Sequence, residues 1–173
     1  MKTAIHTNLL FTCIVAMFTP TANAVVANST FQVLITIQKS CTVTAGSASN
    51  ISLGTVSASA INTTGNNTIS VNCSKTTPYF IGLAPSNSNT LGAGVMSSVA
   101  NSATNTDKVP YQLNQTSASG PVWGNTATNT TVGNGVAGTG TGAAQSLTVY
   151  ATAASANFTP DSYADTVTVN VNY

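Results

Sequence analysis

Few folds accommodate the run from Asp165 to Tyr173, in which Val167, Val169, Val171 and Tyr173 alternate with Thr166, Thr168, Asn170 and Asn172. Strict period-2 alternation sends one set to a buried face and the other toward water, which is the geometry of a strand. Shorter runs repeat the pattern at Phe31–Ile37, Cys41–Ala45, Thr68–Cys73, Tyr79–Leu83 and Ser146–Thr152. In the first of these Phe31, Val33, Ile35 and Ile37 share a face, and Leu34 is an apolar exception on the other. Glu and Arg are absent and Leu and Lys are sparse, so the chain is poor in helix formers and reads as an all-β domain. The spacing of the runs predicts about seven or eight strands, as in a sandwich.

Between the runs, Asn50–Val56 predicts a short strand with Gly54 at a bulge or close approach, and Asn62–Asn67 predicts a polar turn. Ser86–Asp107 reads as a long loop or a loose edge hairpin. Val109–Asn114 reads as a strand that Pro110 confines to an edge or a start, because proline donates no ladder hydrogen bond. The Gly- and Thr-rich Asn125–Gly142 reads as an exposed loop, and Thr159–Ser162 as a turn.

The first residues have the form of a secretory signal: Lys2 and His6, an apolar run from Leu9 to Phe18, then Ala22-Asn23-Ala24 as a cleavage site. That apolar run is shorter than the roughly 20 residues a bilayer span needs, so direct membrane insertion is not expected. Residues 1–24 are therefore read as signal peptide, 25–38 as an N-terminal extension and 39–173 as one domain. After cleavage Lys39, Lys75 and Lys108 balance Asp107, Asp161 and Asp165. With no basic patch, neither nucleic acid nor an anionic membrane surface is an expected partner. Cys41 and Cys73 remain, and in an oxidising compartment they are expected to pair. Such a bridge contributes roughly 3 to 4 kcal/mol through the closed loop.

The mature chain contains no His, Glu or Arg to activate its many hydroxyls, so no enzyme activity, catalytic residue, metal or cofactor is expected. Asp161 and Asp165 flank a turn and read as solvated loop residues rather than a carboxylate dyad, and Lys75 and Lys108 as surface lysines. Trp123, with Tyr111 and Tyr150, is open to two readings, a sugar-stacking platform or buried aromatics of a sandwich, the second being favoured.

Phe31-x-Val33, Cys41-Thr42-Val43, Ile51-Ser52-Leu53-Gly54, Val71-Asn72-Cys73, Gln145-x-Leu147-x-Val149-Tyr150 and Tyr163-Ala164-Asp165-Thr166-Val167 occur in an order that resembles the spore coat protein U family, which includes subunits of archaic chaperone-usher pili. The resemblance implies an incomplete immunoglobulin-like β-sandwich completed by donor-strand complementation. It further implies an acceptor groove beside Val167, Val169, Val171 and Tyr173, and a donor strand carrying Phe31, Val33, Ile35 and Ile37 that fills the groove of a neighbour. The partners so implied are identical or related pilin subunits in a linear polymer, a periplasmic chaperone and an outer-membrane usher. The implied location is the cell surface, reached through the periplasm, with roles in adhesion and biofilm formation. The three-residue link to Cys41 also permits Phe31–Ile37 to pair in cis. Other readings are a secreted carbohydrate-binding module, a tip adhesin or a monomeric coat protein.

Overall fold

The computed structural model describes residues 24–173; residues 1–23 of the expected signal segment lie outside them. The chain divides into two units, residues 1–36 and 37–173. The described part of the first carries no strand, and Phe31, Val33, Leu34 and Ile35 stand exposed, Phe31 at 88%.

The second unit is all-β. Its strands are β1 (Cys41–Thr44), β2 (Ile61–Cys73), β3 (Pro78–Pro85), β4 (Ala93–Ser98), β5 (Lys108–Asn114), β6 (Val136–Thr139), β7 (Gln145–Ser155), β8 (Tyr163–Ala164) and β9 (Val167–Asn172). A six-stranded sheet runs β1-β2-β7-β5-β4-β8, and a three-stranded sheet runs β6-β3-β9. The two sheets close on one core, built from Ile69 and Val71 of β2, Ile81 and Leu83 of β3, Leu113 of β5 and Val149 of β7. These are the inward members of alternating runs, so burial follows the pleat. The architecture is an immunoglobulin-like sandwich.

Cys41 and Cys73 lie opposite each other on β1 and β2 and form a disulfide, with Cys73 fully buried. The bridge fastens the first strand to the core at the point where the chain enters the sheet.

Several expectations are corrected. The turn read at Asn62–Asn67 is part of β2, a 13-residue strand paired with β7 from Ile61 opposite Ser155 to Val71 opposite Gln145. A long partner satisfied the backbone of a polar stretch whose side chains favour turns. Conversely, Asn50–Val56 forms no strand, and Gly54 marks a left-handed backbone (φ 81°) instead of a bulge. Within Ser86–Asp107, β4 is a regular strand with partners on both sides, β5 and β8. β5 lies inside the sheet, yet β7 pairs it only from Gln112 onward, so Pro110 faces a ladder on one side alone. The loop read at Asn125–Gly142 contains β6, which pairs residues Pro78–Ile81 of β3. The run read at Asp165–Tyr173 does form a strand, β9, over Val167–Asn172, and a short strand, β8, precedes it. Tyr163–Ala164 pairs β4 in the large sheet, and after Asp165 and Thr166 the chain resumes as β9 against β3 in the small one.

A polar network fixes the loops that lead to this crossing. Asp161 Oδ2 accepts from Ser98 Oγ at 2.6 Å and from Asn105 Nδ2 at 3.0 Å, and its Oδ1 accepts from Ser162 N at 2.7 Å. Those bonds, the one from Ser98 foremost, hold its carboxyl down at about 2. Asp107 is lowered as well, first by Thr159 N at 2.9 Å and then by Thr159 Oγ1 at 2.7 Å. A depressed carboxyl adds stability above its unfolded-state pKa and loses it as pH falls through the folded one. Thermal melting should therefore hold level down to about pH 3.8 and drop toward pH 2. Asp161→Asn should lower the melting point at neutral pH and flatten that acid limb; circular dichroism across the pH series reads both.

Candidate functional site

Strand β9 has β3 on one side, from Phe80 opposite Asn172 to Pro85 opposite Val167. Its other side has no strand partner among the described residues, since β9 ends the three-stranded sheet. The six-stranded sheet likewise ends at β1. The gap beside these ends holds a cleft of about 490 Å³. Val167 and Val169 form one wall, Ala45, Ile51 and Leu53 after β1 line the other, and Leu83, Leu113 and Val149 are among the core residues that floor it.

An unpaired edge and an apolar cleft beside it leave two costs uncovered: backbone N–H and C=O groups without ladder partners, and apolar surface against water. The cleft is closed at one end by a polar pair. Tyr111 reaches across from β5 and donates its hydroxyl to Asp165 Oδ2 at 2.7 Å, while Asp165 Oδ1 accepts from Thr166 N at 2.8 Å. Burial, then the bond to Asp165, pushes the Tyr111 hydroxyl far above its usual range, so it remains a donor. This pair holds the crossing of the chain from β8 to β9.

Of the residues read as an acceptor groove, Val167 and Val169 line the cleft, and Val171 packs against the core beyond it. Tyr173 follows the end of β9 and is 48% exposed. Ile51 and Leu53, Leu83, Leu113 and Val149 come to the cleft from four separate stretches of sequence. Each was legible as apolar, but no spacing in the sequence relates them. Asp165 was visible only as a turn residue. Phe31, Val33, Ile35 and Ile37 lie outside every strand of the described residues and are exposed, Ile37 at 81%.

Trp123 is 1% exposed, and its Nε1 donates to Ile81 O at 2.9 Å. With Tyr111 also buried, these two rings are core members and offer no sugar-stacking face. The described residues include no group of three or more metal-ligating side chains.

No curated protein matches the chain. Among solved structures, the chaperone–tip adhesion subunit pre-assembly complex CsuC–CsuE, from archaic chaperone-usher Csu pili of Acinetobacter baumannii, matches with a TM-score of 0.52 at 20% identity. The match covers 80% of this chain and 41% of that one, so this chain spans about two-fifths of its neighbour's length. At that identity the likeness is one of fold. Residues 27–170 match the Spore Coat Protein U domain, from before the exposed Phe31–Ile37 stretch to within β9. With a bridged first strand, and a last strand that has no partner on one edge among the described residues, the sandwich carries a match over most of its length, and the chain belongs to the Spore Coat Protein U domain family.

Proposed function

We propose that this protein is a structural subunit of a surface pilus assembled by the chaperone-usher pathway through donor-strand exchange. The observation that carries the reading is the apolar cleft beside the unpaired edge of β9. Such a cleft asks for an extended strand that presents apolar side chains at every second position, because that alone covers the backbone edge and the apolar walls together. The chain carries such a segment: Phe31, Val33, Ile35 and Ile37 are exposed and alternate. Residues 25–38 are the donor, and the groove beside Val167, Val169, Val171 and Tyr173 of the next molecule is the acceptor.

Four apolar side chains buried in this way contribute about 6 to 12 kcal/mol before the entropy of ordering the segment is subtracted. Backbone pairing along β9 adds to that. Each copy has one cleft and one donor, so the contact is heterologous, need not close, and extends a filament. Until the donor arrives another strand must shield the cleft, which is the work of a periplasmic chaperone; the solved neighbour is itself part of a chaperone complex. An outer-membrane usher then passes the growing filament to the cell surface, where it supports adhesion and biofilm formation.

The test is gel mobility of unheated against boiled surface material in detergent. A ladder of multimers that collapses to one band on boiling is expected. A single monomer band before heating would overturn the reading.

A further inference from the structure

The charged side chains of the folded unit are sorted by end. Strand register defines the two ends: at one, Cys41 faces Cys73 and Val71 faces Gln145; at the other, Ile61 faces Ser155 and Pro85 faces Val167. The two ends stand about 40 Å apart along the 13 residues of β2 and about 23 Å apart along the eight of β3.

At the Cys73 end Lys39 precedes Ser40 and Lys75 follows Ser74. These serines bond each other, Ser40 N to Ser74 Oγ at 3.1 Å and Ser74 N to Ser40 O at 2.9 Å. Two exposed ammonium groups thus flank one bonded pair. Asp107, Asp161 and Asp165 all gather at the far end, where Thr159, Ser98 and Tyr111 hold them. Lys108 is their only cation there among the described residues, and its Nζ donates to Ser97 Oγ at 2.6 Å. Three carboxylates stand against one ammonium at that end, and two ammoniums against no carboxylate side chain at the other.

We infer that the acidic end of one copy docks on the Lys39–Lys75 end of the next, an end-to-end contact carried by Asp107 and Asp161 outside the cleft, with Asp165 in the cleft wall, that sets the direction in which copies join. The inference rests on the strand-donation reading. The cleft takes Tyr163, Asp165 and Val167 into its walls and so reaches the acidic end, whereas the chain enters its own sandwich at the basic end. Gln38, Lys39 and Ser40 alone separate Ile37 from Cys41, a path of about 13 Å when extended. A copy whose Ile37 lies by Val167 of its neighbour therefore brings its basic end against the neighbour's acidic end. Insertion in the reverse sense brings Lys39 and Lys75 toward the neighbour's own Lys39 and Lys75, where like charges repel. Among the described residues these six are all the charged side chains, so no others mask this difference.

The experiment follows multimer growth of the purified full-length mature chain, using the heat-sensitive ladder, in parent and Lys39→Glu/Lys75→Glu forms. Lys75 lies outside both the extension and the cleft, so Lys75→Glu alone is a second arm. The double variant should grow about tenfold more slowly at about 20 mM salt, with the gap closing at about 0.5 M as screening shortens the reach of the charges. Adding Ala103→Lys and Thr106→Lys, both exposed at the acidic end, neutralises that end and removes the repulsion, so part of the lost rate should return. Equal rates for parent and variants at low salt would overturn the end contact while leaving strand donation standing. A parent chain that forms no multimers would overturn strand donation, and the end contact with it.

Discussion

Deleting residues 25–38 should abolish heat-sensitive multimers while the sandwich of residues 39–173 still folds. The core draws on none of the deleted side chains: its buried members run from Ile69 to Ala151, and the partly buried ones packed on them from Cys41 to Val171. Deletion therefore leaves the core, the disulfide and both sheets intact and removes only the proposed donor. The loss should be all or none, because a filament grows by one donor per joint. Ladders on unboiled gels give the readout, and circular dichroism of the chaperone-bound domain confirms the fold. Multimers that persist unchanged would sink strand donation. Ile35→Asp is a finer probe: a carboxylate placed in an apolar cleft must be desolvated or forced to protonate, so joining should weaken by several kcal/mol, on the order of the cost of burying a charge. Ile35 is exposed in the described chain, so its melting temperature should not move.

Trp123→Ala should destabilise the domain by about 3 to 5 kcal/mol, the usual cost of truncating a large buried aromatic. The indole touches both halves of the fold. Its backbone N donates to Leu113 O of β5 at 2.9 Å, and its Nε1 donates to Ile81 O of β3, so the residue spans from one sheet to the other. Gly124 N and Asn125 N, next in sequence, bond Asn134 O and Thr90 O, which ties the long loops on either side to the same post. Truncation opens a cavity and strips Ile81 O of its donor. Trp123→Phe separates the two effects, since it keeps much of the volume and loses the N–H; a cost of about 1 to 3 kcal/mol is expected from the unsatisfied carbonyl. Urea midpoints with unchanged slopes measure both. If Trp123→Ala removed glycan binding and left stability alone, the ring would be acting at the surface, contrary to its burial.

How much of this was legible can be read from particular residues. Alternation marked Ile69, Val71, Tyr79, Ile81, Leu83, Val149 and Val169 as inward, and each lies in the core or packs against it, because the pleat ties side-chain direction to sequence parity. The favoured burial of Trp123 and the pairing of Cys41 with Cys73 were legible for similar reasons: a scarce, large apolar ring and two cysteines in an exported chain have few alternatives. Asn62–Asn67 was not legible, since its residues favour a turn and only the length of β7 makes them a strand. β6 was hidden in a Gly-rich stretch because a strand of four residues carries little pattern of its own and forms where β3 offers a free side.

The sequence by itself determined the all-β class, the faces of the long strands, the disulfide and the existence of an alternating segment ahead of the domain. These are local properties, decided by side-chain chemistry at a period of two residues. Only the tertiary structure decided that the chain crosses from one sheet to the other at Asp165, that β9 has no strand partner on one edge among the described residues, and that acids and lysines collect at opposite ends. Those depend on which edges remain unpaired once every other strand has found its neighbour. Strand pairing is a contest among distant segments for backbone partners, and no stretch of sequence records its outcome alone.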